Sequence, residues 1–559
     1  MTTVGLWTVG LALAYTAFLV LAGRAVRARA GGAANYFVGG RNFRPITVAF
    51  CITGLFSGSS FIAILELSYR TGVSAVWYGV AEIVQITLIA ALLVVPLRKR
   101  LVVTITGLIG DRFGRAARAV GGVITAFTFP MWSVATAIAF ATALHAVTGL
   151  SIHGSVIATA LLLLAFLWGG GMRSVALTQT ANVVVFVVML AVGAAAVLVG
   201  PGLGALADLP TTHPRLVDPS AAGVTLIVAW FGTFVVNVLL AQAAFQMALS
   251  CRTPEEGRKG LGWAAVMAVP FIVLGVAIGV AAAVTVPGES LGLLGVTRFV
   301  TDALPAPLAA AFFLGLWACA IGWGGPCQFS GATSLGRDVG AALNPRASEA
   351  DLVRYTRWSL VLLTALMVVF ALLRTEQSAW WNVLAWTLRN GATLAPVAAV
   401  LFWPVATRRA ALASLVAGFT TGLTWYHLGG WDPAAFYLGI HPVWVGMGLN
   451  LVVLLAVTLA QGGWTLSAGT ARRRRGGATV VGAAVVLAVT TLSWASLHPL
   501  GLTGLALFCA VVLLTAGVFQ LTVPALATRT LPVPQEVPQE QTGGGVAGLT
   551  HERTEALRR

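Results

Sequence analysis

The chain has 559 residues, of which 58% are apolar and only 9% charged, and it carries a formal net charge of +16. A soluble protein of this length needs about a quarter of its residues charged to solvate its surface, so a soluble enzyme is excluded. The positive charge forms no compact basic domain, which excludes nucleic acid as a partner. Charge-free stretches such as Val120 to Ser151 are long enough to cross a hydrocarbon core of about 30 Å as helices.

Lysine is nearly absent: Lys99 and Lys259 stand against 32 arginines, a bias that, with abundant Ala, Gly and Val, points to a GC-rich bacterial genome. The five cysteines (Cys51, Cys251, Cys319, Cys327, Cys509) show no metal-ligand spacing and read as small core residues. Neither a metal nor a cofactor is expected.

In chain order, apolar runs bounded by charge, Gly or Pro fall at 4–26, 44–67, 74–97, 119–148, 151–169, 174–200, 222–250, 260–285, 306–336, 355–373, 379–403, 410–428, 441–461, 478–497 and 502–524. None alternates with period two, so a β-barrel is excluded. Met1 to Gly5 carry no basic side chain, whereas Arg24, Arg27 and Arg29 follow the first run, the reverse of a signal peptide. That run is expected to stay in the protein with its start outside. The loops then alternate so that 29 of the 34 Lys and Arg are cytoplasmic; Arg70, Arg215, Arg298 and Arg374 fall outside and Arg389 lies mid-run. With fifteen runs the carboxy-terminus is cytoplasmic, in a bacterial inner membrane. The segment 528–559, rich in Pro, Gly, Gln and Glu, has little to bury and reads as a disordered tail.

Several runs contain residues that a purely structural helix avoids. The second carries Thr53-Gly54 and Ser57-Gly58-Ser59-Ser60, the seventh Gly232-Thr233, Asn237, Gln242 and Gln246, and the ninth Gly322-Trp323-Gly324-Gly325-Pro326. Such clusters serve either close helix packing or helix unwinding near the midplane, where freed backbone groups bind ions or substrate. The second and seventh helices are expected to break near Phe56 to Ser59 and near Gly232 to Asn237.

Tyr36-Phe37-Val38-Gly39-Gly40-Arg41, Ser57 to Ile62, Tyr69, Gly72, Asp111-Arg112-Phe113-Gly114, Gly170 to Val175, Gln246, Arg252 to Gly260, Leu335 to Val339, Leu401-Phe402-Trp403 and Thr407 to Ala410 come in an order and spacing that resembles the sodium:solute symporter family, over about Tyr36 to Trp425. The resemblance implies an all-α bundle of the LeuT type, a 5+5 inverted repeat with one extra amino-terminal and about four extra carboxy-terminal helices. It divides the chain into an amino-terminal helix and loop (1–43), a transport core (44–403, repeats about 44–200 and 222–403), peripheral helices (404–527) and the tail (528–559). The implied activity is secondary active transport of a small polar or charged organic solute; a non-transporting solute sensor or interaction protein on the same fold is the alternative. Motifs of an intramembrane enzyme are missing.

Carried over residue by residue, the family's sodium-binding carbonyls fall on Thr53 and Phe56, its hydroxyl pair on Gly322 and Trp323, and a nearby aspartate on Gln179 beside Thr178. From Ala306 to Phe329 there is no Ser or Thr. A hard cation wants oxygen ligands, so the resemblance implies a degraded sodium site, with coupling to protons or to nothing. The sugar-binding glutamate falls on Gly79, which disfavours a sugar.

Glu82 and Arg389 lie about eight and ten residues, roughly 12 and 15 Å, from the outer ends of their runs. Charge near the midplane is costly and is paired or functional. A Glu82–Arg389 pair bordering the cavity is expected. The candidate substrate residues are Ser57, Ser59, Ser60, Tyr78, Glu82, Asn237, Gln242, Trp386 and Arg389. Glu66, Trp380 and Trp381 are read as interfacial.

Overall fold

Burial of backbone polar groups in hydrocarbon leaves the helix as the available form for these runs, and a helix covers each of them in the computed structural model. The structure describes residues 1–28, 42–95, 104–168, 172–375 and 377–525. The motif Tyr36 to Arg41, the basic cluster Arg98-Lys99-Arg100, Gly170-Gly171 and the tail from Thr528 lie outside the described residues.

The elements are α1 (Thr3–Ala28), α2 (Pro45–Ile52, continuing through Thr53–Ser57 to Gly58–Thr71), α3 (Val76–Leu88, continuing through Ile89–Leu93), a short α4 (Ile105–Phe113), α5 (Arg115–Thr148), α6 (Ile152–Trp168), α7 (Met172–Val199), α8 (Val224–Asn237), α9 (Gln242–Ala248), α10 (Pro254–Thr285), α11 (Gly292–Ala303), α12 (Ala306–Cys319, continuing to Gly340–Leu343), α13 (Glu349–Leu373), α14 (Ser378–Phe402), α15 (Arg408–Leu428), α16 (Pro442–Gln461), α17 (Thr470–Leu492) and α18 (Thr503–Leu521). Ten helical spans among the described residues are long and apolar enough to cross a membrane, with Pro45–Leu93 counted as one, or eleven if the bent α8–α9 pair is one span. This is fewer than the fifteen runs because Pro45–Leu93 takes in two of them, α6 is only 17 residues long, α8–α9 is bent, and α14 and α15 are not among the spans. α14 holds much of the buried polar surface, including Asn382, Thr387, Arg389, Asn390 and Thr393.

The two expected breaks differ from what is seen. α2 does not break. Thr53 to Ser57 form a π-helical turn with right-handed backbone throughout, and the Gly58 amide donates back to the Thr53 carbonyl. One wide turn accommodates the glycines without freeing backbone to solvent. The chain after α8 does break, but at 238–241, beyond Gly232. There Ala241 (φ −72°, ψ 66°) forms an inverse γ-turn closed by Gln242 N–H donating to the Leu240 carbonyl at 2.7 Å. α9 leaves at 47° to α8. Gly232 is inside the helix because the Trp444 indole packs on it: a Cβ there would lie 1.9 Å from the ring.

α14 runs against α5, and α2 against α10; α1 packs on α7 and the first part of α12. α17 and α18 form a hairpin that leans on α16. A two-stranded ribbon, β1 (Trp464–Leu466) with β2 (Thr522–Pro524), pins the end of α18 beside α16.

α14, α15 and α16 meet at glycines: a Cβ on Gly418 would lie 1.8 Å from the Gly391 carbonyl oxygen. Beside them Pro396 interrupts α14 and leaves the Ala392 carbonyl without its helical donor. Asn450 of α16 supplies it. Its Nδ2 donates to the Ala392 carbonyl at 2.8 Å and to the Ser414 carbonyl at 2.7 Å, while its Oδ1 accepts from Ala395 N–H at 2.6 Å. Asn450→Leu should therefore cost about 2–4 kcal/mol, since buried backbone groups lose their partners. Thermal unfolding in detergent would measure this. Adding Pro396→Ala should recover part of the loss, because the restored N–H again reaches the Ala392 carbonyl.

Candidate functional site

At the centre of the bundle a void of about 20 Å³, room for about one water, is lined by α2 (Leu55, Phe56), α5 (Phe129, Trp132), the α8–α9 break (Asn237 to Ala244), α12 (Trp323, Cys327) and α14 (Trp386, Arg389). Four sequence-predicted substrate residues, Asn237, Gln242, Trp386 and Arg389, meet there. Phe129, Trp132 and Cys327 were missed. Pro130, flanked by aromatics in the middle of a charge-free run, is the sequence signal that could have found the first two.

Arg389 is 4% exposed. Its guanidinium lies 4.5 Å from the centre of the Trp132 ring and 5.9 Å from that of Phe129, so the charge sits on aromatic faces. It donates to the Asn237 carboxamide oxygen and, at 3.2 Å, to that of Asn390. Asn390 in turn donates to the Thr233 carbonyl at 3.3 Å. The Arg389 Nε–H has no partner, and no carboxylate pairs with Arg389 among the described residues. The result is a cation held by neutral acceptors beside a void.

Glu82 and Arg389, expected to meet directly or through one water, do not bond directly. Glu82 faces α2, where Ser60 Oγ donates to its Oε2, and its Oε1 has no partner. Depth along two helices does not fix azimuth. Tyr78, one turn before Glu82, meets Trp386 at 6.2 Å between ring centres and also packs on Trp230 and Phe234, so aromatic rings fill the α3–α14 contact. The Tyr78 hydroxyl accepts from Asn382 at 3.2 Å. Gln85, on the same face as Glu82, is fully buried with both amide atoms unpaired. Ser57, Ser59, Ser60, Tyr78 and Glu82 are all buried but are not among the lining residues of the void.

At the positions that the resemblance assigns to sodium, α2 and α12 approach closely: a Cβ on Gly322 would lie 2.6 Å from the Gly54 carbonyl oxygen. The Gln179 carboxamide fills the gap. A Cβ on Gly54 would meet its Oε1 at 2.0 Å, and its Nε2 donates to the Gly322 carbonyl at 2.6 Å. Asn182 donates to Gln179 Oε1 and to the Ala318 carbonyl, both at 3.1 Å, and accepts from the Tyr15 hydroxyl of α1 at 2.7 Å. Thr53 points its hydroxyl at the Met267 sulfur, 3.7 Å away. Trp323 borders the void, with Phe56 and Trp132 at 6.0 and 6.2 Å between ring centres. Gly79 faces α10, where a Cβ would lie 2.4 Å from Ile272.

Polar contacts tie the elements at both ends. On the end that the charge pattern assigns outside, Glu66 is 3% exposed, not interfacial, and accepts from Ser378 Oγ and from Ala379 N–H at 3.1 Å. It thereby caps α14 with a carboxylate where the helix dipole is positive. Trp381 is likewise buried, donating to the Arg374 carbonyl at 3.0 Å, and Arg374 stacks on Trp380 at 4.4 Å. At the other end Thr106 donates to Asp338, and Gln242 accepts from Ile105 N–H and donates to Ser330 and Ser334. Gln242 thus latches α4 as well as lining the void.

The model of the sodium:solute symporter family matches residues 36–418. The human (Homo sapiens) sodium/iodide cotransporter is 29% identical over 280 residues, a stretch that covers 46% of this chain and 40% of that protein, so the chain spans less than half the length of this relative. A Na⁺-coupled sialic acid symporter, solved substrate-bound and outward-open, aligns with a TM-score of 0.66 at 15% identity, covering 81% of this chain and 98% of that one. MHP1, a nucleobase-cation-symport-1 family transporter in a closed conformation, gives 0.44 at 13% identity over 77% and 94%. The likeness to the sialic acid symporter shows the fold, an all-helical transporter bundle of the LeuT type.

Cys327 reports on access to this void. In a Cys509→Ser background it should react with an anionic thiosulfonate roughly tenfold faster than with a cationic one. Arg389→Gln should abolish the preference. Labelling rates followed by intact-mass spectrometry would decide it.

Proposed function

The chain belongs to the sodium:solute symporter family and is therefore a multi-pass secondary transporter rather than an enzyme; on that premise we propose that its solute is a small organic anion. The observation that carries the reading is Arg389, a buried cation bonded by neutral carboxamides beside the central void. An arginine keeps its charge, and a desolvated charge calls for a counterion. An anionic group reaching the unpaired Nε–H supplies one, and the rings of Trp132, Trp323 and Trp386 offer apolar faces to the remainder of the solute. The relative named for iodide is, by that name, a carrier of an anion.

The void holds about one water, so solute entry requires movement. The α8–α9 turn, whose flanking residues Asn237 and Gln242 bond to Arg389 and to the α4 latch, is the hinge of this reading. The core of 44–403 acts as two repeats, 44–200 and 222–403, in a bacterial cytoplasmic membrane with the amino-terminus outside.

Sodium does not couple at the family's position in this reading. A neutral amide donor, Gln179 Nε2, occupies the gap between α2 and α12 and uses the Gly322 carbonyl. Protons are the coupling ion, with Glu82 as carrier: its Oε1 is unpaired and its Oε2 accepts from Ser60. The occupied ion position also favours a second reading, a solute sensor that binds the same anion without carrying it.

Proteoliposome uptake of small carboxylates separates these. Uptake should persist when choline replaces sodium and should rise when the side of entry is acidified. Arg389→Gln should raise KM about 10- to 100-fold, the loss of a charge-assisted contact. Glu82→Gln should remove the response to the proton gradient while leaving solute binding. Uptake that choline abolishes would overturn the coupling, binding without uptake would make the protein a sensor, and preference for a cationic solute would overturn the anion.

A further inference from the structure

A second and larger cavity lies away from the central void. It occupies about 1050 Å³ between the transport core and the carboxy-terminal helices, the upper end of the range for ligand sites of roughly 300–1,000 Å³. Its walls are α8 and the turn after it, from Val228 to Leu239, the second half of α14, α16 at Trp444 and Leu451, and α18 from Leu505 to Gln520. Apart from the Cys509 thiol, the lining polar side chains are Arg472, Gln520 and Thr515. The Thr515 hydroxyl is turned back onto the Val511 carbonyl at 2.7 Å. Free polarity is therefore confined to one end, where Arg472 and Gln520 lie.

That end is strongly cationic. Arg472 donates through one nitrogen to the Phe519 carbonyl at 3.0 Å, leaving its other donors for a ligand. Arg473, Arg474 and Arg475 follow it, all exposed, in the opening turns of α17, whose first turn has no acidic residue. Four adjacent guanidiniums at the positive end of a helix dipole repel one another and attract an anion. The groove is also long. Leu505 to Gln520 rise about 22 Å along α18, more than one leaflet of a core about 30 Å thick.

We propose that this groove holds one anionic phospholipid of the surrounding bilayer, its acyl chain along α18 and its phosphate at Arg472. An apolar slot of more than leaflet depth, ending in concentrated positive charge, matches an amphiphile with one negative end. The bound lipid braces moving parts. α8 contributes Val235, Val236 and Leu239 to the wall and turns at 238–241, and Leu394, Ala398 and Phe402 belong to the helix that carries Arg389. The lipid thus steadies the core-facing elements from the side opposite the solute.

The test uses the full chain, purified in mild detergent and reconstituted into discs of phosphatidylcholine with or without phosphatidylglycerol. Native mass spectrometry should find one phosphatidylglycerol retained per chain in preference to phosphatidylcholine, and the melting temperature should rise by several degrees in the anionic discs. Arg472→Gln with Arg473→Gln should lower retention about tenfold. Val512→Trp, which fills the groove, should expel the lipid while leaving the melting temperature in neutral discs unchanged, which shows that the fold survives. Equal retention of both lipids, or retention unaffected by both variants, overturns the proposal. So does a lipid-free dimer, which would make the groove an interface between copies of the chain. None of these readouts depends on which solute is carried.

Discussion

In hydrocarbon every backbone amide and carbonyl must find its partner within the protein, and the rest of this structure depends on how it meets that demand where its helices are irregular. The Pro396 interruption in α14 would orphan the Ala392 carbonyl, and Asn450 answers it from another helix. The extra residue in α2 is absorbed by a π-turn. The amino-terminal end of α14 receives the Glu66 carboxylate. The Pro396 gap and the start of α14 are satisfied by side chains from other elements, so these irregular positions are also places where helices are fastened together.

The same demand explains the character of the centre. Arg389 could have been neutralised by an acid, which would have made an inert structural pair. Instead Asn237 and Asn390 give it oxygen atoms without charge, and Trp132 and Phe129 give it π-faces. Solvation is good enough to keep the side chain inside and leaves its charge unspent. Glu82, one helix away, is treated in the same manner by Ser60. Kept apart in one bundle, the two groups stay open to other partners, whereas joined they would serve only each other.

Helix positions were legible in the sequence because length and apolarity set them, and the order of short motifs was enough to suggest the fold. Rotation about a helix axis was not. Glu82 and Arg389 were expected to pair and do not bond directly, because the ring contact of Tyr78 with Trp386 between α3 and α14 leaves no signature in one sequence. Glu66 looked interfacial from its place near a helix end, and its role as a cap for α14 depends on a residue more than three hundred positions later. The absence of Ser and Thr from Ala306 to Phe329 was readable. That Gln179 would move in, held by Asn182 and Tyr15, needed three helices in place.

That last chain of contacts reaches from the edge of the molecule to its centre. Tyr15 belongs to α1, a peripheral helix, yet its hydroxyl fixes the rotamer of Asn182, which orients the Gln179 amide against α12. Any sliding of α12 past α7 has to break the Gln179–Gly322 bond, whose two partners are both buried. A short bond of this kind resists a small displacement of α12 and is lost once the carbonyl moves out of reach of the amide. The first helix, none of whose residues line the central void, thereby takes part in holding α7 against α12.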